Sequence, residues 1–262
     1  MQEATTLDPL INNAASNGAA AQPPAPFDLA AVNARFTTAA PDAILQWAAE
    51  QFAGGLLMTS SFGAESMCLI HMATRVVPHI PVVFVNTGYL FPETLRFMET
   101  MRHRFNLNVQ EFHTSNDPVI WLSVNGEPDP RVRNNVEACC AANKNEVFDR
   151  AMRQLAPTAW LRGVRADQSD QRAKMQPVQF SRRNNCWAIS PLLNMSVRHI
   201  HAYMKAHDLP YHPLWEKGYT SIGCNPATCT RAVGADEDQR GGRWSGSDKK
   251  ECGIHLDLGA GI

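Results

Sequence analysis

The sequence predicts an α/β fold, a mostly parallel sheet with helices on both faces. Short apolar runs rich in β-branched residues alternate with longer stretches of helical periodicity, the pattern of a parallel sheet built from strand–helix units. The 262 residues, 44% of them hydrophobic, suffice for one such domain with a tail. Sheets of this class bind ligands at the carboxyl ends of their strands, so the loops after the strands are where function is sought.

The elements follow in order. The opening MQEATTLDPLINNAASNGAAAQPPAPFD lacks the basic start and apolar stretch of a secretory signal, and reads as a disordered leader over residues 1–26. One domain is expected over 27–244 and a flexible tail over 245–262. PDAILQWAAEQF (41–52) has apolar residues at helical spacing behind a Pro-Asp start. GGLLMTSSF is a short buried strand breaking into a turn, and AESMCLIHMATRV is a helix. IPVVFVNTG (80–88) is a second strand, FPETLRFMETMRHRFN a helix with Pro92 and Glu93 in its first turn, and LNVQEFHT a third strand. NEVFDRAMRQLA is a helix, TAWLRGV a fourth strand, NNCWAIS a further strand, and SVRHIHAYMKAHD a helix.

Net charge is −1 and the pI near 6.7, so no global field favours nucleic acid or an anionic membrane. No apolar run of roughly eighteen residues occurs, so nothing spans a bilayer. Seven cysteines without an export signal point to the cytoplasm, and to metal or redox roles rather than structural disulfides. The sequence sets no oligomeric state, and a homo-oligomer is allowed.

Three strand-end loops carry candidate chemistry. In TSSFGAES, Ser60, Ser61 and Ser66 supply hydroxyls, Gly63 permits a tight turn, and the next helix points free N–H groups at the loop. That combination cradles a phosphate or sulfate. A turn capped by its own hydroxyl reads equally from these residues. In VNTGYLFPET, Asn86, Thr87 and Gly88 face a nucleotide or form a helix cap. In RGVRADQSDQR, Arg165 is placed to reach an anion, while Arg162 and Arg172 read as solvated.

The cysteines form two close pairs, Cys139–Cys140 in EACCAANK and Cys224 with Cys229 in SIGCNPATCTR. Four thiolates suit a [4Fe–4S] cluster or a zinc ion. Neither pair has the two-residue spacing of a zinc knuckle, which argues against generic zinc. Cys68 and Cys186 read as buried structural thiols.

Together SSFGAES, NTGYLFPET, CC…NK, WLRGVRADQS, LPYHPLWEKGYTSIGC, CTR, RGGRW and KECGIH resemble the motifs of the assimilatory adenylyl-sulfate/phosphoadenylyl-sulfate reductases, over about residues 40–256. The resemblance implies an adenine-nucleotide α-hydrolase-like fold in which 27–244 is a nucleotide-binding reductase domain. It implies that Cys252, in the tail, attacks the sulfur of the sulfonucleotide and becomes an S-sulfocysteine as AMP leaves. A thioredoxin or glutaredoxin then frees sulfite, in sulfate assimilation toward cysteine. A mobile tail suits a thiol that must enter a pocket and then meet a protein. Lys249, Lys250 and His255 would favour the thiolate.

The cysteine pairs resemble the subgroup that carries a [4Fe–4S] cluster and prefers adenylyl sulfate, with Cys139, Cys140, Cys224 and Cys229 as ligands. The implied substrate set is Ser60, Ser61, Gly63, Glu65, Ser66, Thr87, Gly88, Lys144, Arg165, Arg240, Arg243 and His255. Three positions depart from the family pattern. Two residues are inserted between Pro226 and Cys229, giving the four-residue spacing known from plant-type ferredoxins. Asn143 stands where the family has arginine, and Ala166 follows Arg165 where the family doubles the arginine. The competing readings are the same chemistry on phosphoadenylyl sulfate without a functional cluster, an ATP pyrophosphatase, and a non-catalytic Fe–S or nucleotide sensor. SSFGAES lacks the paired glycines of the pyrophosphatases.

Overall fold

The structure is a computed structural model that describes residues 25–129, 131–132, 135–224, 229–234, 238, 240–247, 249–251 and 253–255. Six strands form one sheet: β1 (Leu56–Thr59), β2 (Pro81–Asn86), β3 (Asn108–His113), β4 (Ala159–Leu161), β5 (Val178–Ser181) and β6 (Cys186–Ile189). Their order is β3-β2-β1-β4-β6-β5, all parallel except β5, which runs antiparallel to β6 at the edge. The sheet is mostly parallel, as the strand–helix alternation predicts.

Alternate strand residues feed two cores, because side chains on a strand point to opposite faces. Met58, Phe84, Leu161 and Ile189 join one buried cluster. It is roofed by α1 (Leu29–Phe36), α2 (Pro41–Gln51), α3 (Ala64–Val76), α4 (Pro92–Arg104) and α9 (Val197–Ala206). Leu57, Val83, Trp160 and Ala188 join the other. There they meet Phe148, Ala151 and Met152 of α7 (Glu146–Leu155) and Val136 of α6 (Asn135–Cys140).

The helices α5 (Pro118–Asn125), α6 and the short α8 (Asp170–Ala173) have no counterpart in the sequence reading, nor do α1 and β5. Asp117 caps α5 by accepting from the Val119 and Ile120 N–H groups. Val119, Ile120, Trp121, Leu122 and Val124 lie all round that helix, which buries none of its residues, so it lacks the one-sided apolar stripe by which amphipathic helices are read. A π-helical turn, Ala141–Asn145, joins α6 to α7. No helix among the described residues is long and apolar enough to cross a membrane.

The chain runs β1, β2, β3 outward and then returns to place β4 on the other side of β1. The order reverses between β1 and β4, and in such sheets the ligand crevice opens at the carboxyl ends of the strands there.

Candidate active site

A cavity of about 180 Å³ lies at that point, between the loop after β1 and the loop after β4. Ser60, Ser61, Gly63, Glu65 and Ser66 line one side, with Thr87, Lys144, Arg240, Arg243 and His255 around the rest. The Ser61 N–H donates to Ser66 Oγ at 3.2 Å, and the Phe62 N–H to Ser60 Oγ at 3.0 Å. These bonds shape the loop internally, so the self-capped turn is part of the answer. Gly63, the N-cap of α3, offers no side chain to the helix, whose first turn borders the cavity. Gly63 is extended, at φ −77°, and the positive φ of this turn belongs to Phe62, at 55°. Gly88 does adopt φ 77°, and a Cβ there would meet Pro118 Cγ at 2.8 Å. Gly88 shapes the loop without lining the cavity. Thr87 Oγ1 lies 3.4 Å from Cys224 Sγ and accepts from the Tyr89 N–H at 3.2 Å.

The arginines are redistributed relative to expectation. Arg165 does not reach the cavity. Its Nε donates to Glu65 at 3.0 Å and its Nη1 to Asp167 at 2.5 Å, and its side chain is 2% exposed. Two carboxylates nearby draw it away from an outside anion. Arg162 and Arg172 are buried rather than solvated. Arg162 Nε donates to Ser190 Oγ at 2.7 Å. Arg172 lines the cavity and holds Glu251 through a double hydrogen bond, Nε at 2.7 Å and Nη2 at 2.9 Å. The positive lining is therefore Lys144, Arg172, Arg240 and Arg243.

Arg243 is fixed by its own surroundings. Nε donates to the Cys229 carbonyl at 3.1 Å and Nη1 to the Ile222 carbonyl at 3.2 Å, while the guanidinium lies 4.5 Å from the Trp244 ring centroid. Gly223 admits this pose, because a Cβ on it would stand 2.3 Å from Arg243 Nη2.

Cys252 lies outside the described residues. The described part of the tail is docked: Glu251, Gly253 and Ile254 are buried. His255 stacks on Trp160 with centroids 5.6 Å apart and planes at 15°, and its Nδ1 is shut from solvent without a hydrogen-bond partner. Burial, then Arg172, Arg162, Lys144 and Arg240, push His255 well below its ordinary pKa of 6.5. A neutral ring cannot supply the positive charge expected of it beside the thiol; the nearby arginines hold that charge.

Cys139, Cys140, Cys224 and Cys229 all line a second, smaller cavity of about 20 Å³. It shares Thr87, Lys144, Cys224, Arg243 and Trp244 with the larger one. A lone β-bridge between Leu90 and Cys224, and another between Thr230 and Arg243, tie the C-terminal cysteines to this wall. Asn143 is buried, accepts from Thr114 and Asn116 at 2.9 Å each, and donates to Cys139 Sγ at 3.7 Å. Burial pushes the Cys139 thiol up to about 11 despite that bond, with Cys140, Cys224 and Glu127 adding to the rise. Such a thiol ionises only when a cation takes the charge. Among the described residues no three His, Cys, Asp or Glu side chains are grouped to hold a metal ion. The loop 225–228 that separates the second pair lies outside the described residues.

Sequence reasoning missed Trp160 and Glu251 and gave Arg172 no role in the site. Arg172 sits in the arginine-rich run after β4 and Glu251 in KECGIH, so both were visible as residues. Their pairing across 79 positions was not.

The family profile described as "Phosphoadenosine phosphosulfate reductase domain" matches residues 55–231. A phosphoadenosine 5'-phosphosulfate reductase of Synechococcus sp. is 37% identical over 237 residues, covering 87% of this chain and 97% of the relative. One of Xylella fastidiosa is 37% identical over 231 residues, covering 88% and 95%. A phosphoadenylyl-sulfate reductase from Candida auris, solved as a phosphate complex, superposes with a TM-score of 0.64 at 22% identity, over 74% of this chain and 93% of that one. An FMN adenylyltransferase from Candida glabrata shares the fold at TM-score 0.56 and 16% identity, over 76% and 64%.

Proposed function

The chain belongs to the phosphoadenosine phosphosulfate reductase family, and on that premise we propose that it reduces adenylyl sulfate to sulfite and AMP through Cys252. The family is one of oxidoreductases in sulfate assimilation, acting on a sulfonucleotide with thioredoxin-type donors. The preference for adenylyl sulfate rests on one observation: Cys139, Cys140, Cys224 and Cys229 line a single cavity that adjoins the nucleotide pocket through Thr87, Lys144 and Arg243. These four would hold a [4Fe–4S] cluster, which when bound would place a polarising charge centre beside the substrate.

The protein's own groups account for the chemistry. The first turn of α3 and the serines of its loop receive phosphate oxygens. Lys144, Arg240 and Arg243 neutralise the phosphosulfate and the AMP that leaves. The Cys252 thiolate forms a bond to the sulfate sulfur. The bond from sulfur to the bridging oxygen breaks, and AMP departs with its electron pair. A donor thiolate next attacks Cys252 Sγ and sulfite leaves. The second donor thiolate attacks the donor sulfur of the resulting mixed disulfide, the bond to Cys252 Sγ breaks and the Cys252 thiolate is released, so two electrons pass from dithiol to sulfur.

A second reading has phosphoadenylyl sulfate as substrate, and the names of the relatives favour it. Turnover with each nucleotide, together with iron and sulfide content, separates the two. The proposal expects kcat/KM at least tenfold higher for adenylyl sulfate and about four irons per chain. Preference for the 3′-phosphorylated nucleotide by iron-free protein would replace it.

A further inference from the structure

The segment around position 252 is pinned by four arginines from different parts of the fold. Arg240 Nη2 donates to the Lys250 carbonyl at 2.8 Å and Arg183 Nη1 to the Gly253 carbonyl at 2.8 Å. Arg162 Nη1 donates to the His255 carbonyl at 3.5 Å. These three bonds accept any residue, because every residue offers a carbonyl. They hold the tail without choosing its register.

The fourth contact is different. Arg172 grips the Glu251 carboxylate with Nε and Nη2 at 2.7 and 2.9 Å, and Ser169 Oγ donates to the same oxygen as Nε at 2.9 Å. Arg240 Nη2 approaches the second oxygen at 3.5 Å. The Arg172 and Glu251 side chains are 6% and 1% exposed. A two-pronged guanidinium–carboxylate pair demands one geometry. Here it selects one side chain of the tail, that of the residue before Cys252. Buried this deeply, either partner left alone would be a stranded charge, so the tail docks in this register or the pair is lost. Arg172 Nη1 is also engaged, by Gln168 Oε1.

We infer that Glu251 and Arg172 form the register latch of the tail, a positioning pair that decides which residue the docked segment presents to the nucleotide. The inference rests on the reading of Cys252 as nucleophile. Glu251 is a positioning residue and acts on the reaction only through its neighbour. A slip of one position along the chain would keep the carbonyl bonds and bring a different residue next to the latch.

The test uses the full chain with adenylyl sulfate and no reductant. Sulfonation of Cys252 is timed by peptide mass spectrometry, AMP affinity is measured by calorimetry, and tail docking is followed by tryptic cleavage after Lys249 and Lys250. Glu251→Gln is expected to slow sulfonation at least tenfold at saturating substrate, leave AMP affinity within twofold and speed cleavage. Glu251→Asp, which keeps the charge on a shorter arm, is expected to recover part of both. Sulfonation of Glu251→Gln at the wild-type rate, or slowing without faster cleavage, would overturn the latch. If Cys252→Ser still makes sulfite, the functional reading fails instead, so the two failures are told apart.

Discussion

Replacing Gly223 by alanine should disable Arg243 without unfolding the protein. The new Cβ would stand 2.3 Å from Arg243 Nη2, 2.4 Å from Cζ and 2.6 Å from Nη1. Carbon atoms in ordinary contact sit roughly 3.5–4.0 Å apart, so the guanidinium must retreat by about 1 Å or more. The obstacle is the end of a flexible side chain, so the backbone can stay in place. The retreat breaks bonds of 3.1 Å to the Cys229 carbonyl and 3.2 Å to the Ile222 carbonyl and turns the charge away from the cavity. Hydrogen bonds to a charged group are worth about 1.5–3 kcal/mol. Losing one to the substrate therefore raises Kd roughly ten- to hundredfold. Calorimetric titration of adenylyl sulfate into the Cys252→Ser background measures this without turnover. Gly223→Ala should match Arg243→Ala in affinity, and the double variant should be no worse than either, because both remove one interaction. Wild-type affinity in Gly223→Ala would refute the placement of Arg243 over the anion.

Serine at each of Cys139, Cys140, Cys224 and Cys229 should lower iron content, measured by iron assay and visible absorption. A Cys229→Ser protein with wild-type iron beside an iron-free Cys224→Ser protein would remove Cys229 from the ligand set. Arg165→Ala should cost stability of about 1–3 kcal/mol by denaturant titration, since it strips donors from Glu65. Its effect on nucleotide Kd should be smaller than that of Arg243→Ala. Acid should loosen the tail. His255 is held well below 6.5 when docked and regains its ordinary value when released, so docking is complete above pH 6.5 and weakens as pH falls below it. The slope reaches about 1.4 kcal/mol per pH unit. Burial would raise the Glu251 carboxyl, but Arg172 first, then Arg240 and Ser169, hold it below its ordinary 4.5, so its own loss comes only at still lower pH. Tryptic cleavage after Lys250 against pH should rise below 6.5, and a flat profile would contradict the buried neutral imidazole.

The parallel sheet was legible because each strand has its own apolar run and each core helix its own apolar stripe. Residues 64–76 form α3 as their periodicity predicts, and Pro81–Asn86 form β2 inside the expected 80–88. The edge strand β5 is only four residues long, VQFS, and α5 has no one-sided stripe, so neither stands out in the sequence. Their positions come from pairing with β6 and from the Asp117 cap. Residues that one loop supplies, as at Ser60–Ser66, do line the cavity together, and the four cysteines, paired in sequence, line one smaller cavity. The site was not legible where a residue's role depends on a distant partner. Arg165 and Arg172 stand seven positions apart in the same loop region, yet one is consumed by Glu65 and Asp167 and the other by Glu251. Asp167 is local to Arg165, but Glu65 and Glu251 arrive from the first turn of α3 and from the tail, and local sequence does not show them.

The central claim is that Cys252 takes the sulfonate. Protein freed of reductant, mixed with one equivalent of adenylyl sulfate and digested without thiol, should show the Cys252 peptide heavier by one SO3, with AMP released in equal amount. The adduct should vanish, with sulfite appearing, on adding reduced thioredoxin. AMP release with an unmodified Cys252 peptide, or the adduct on another cysteine, would contradict the account.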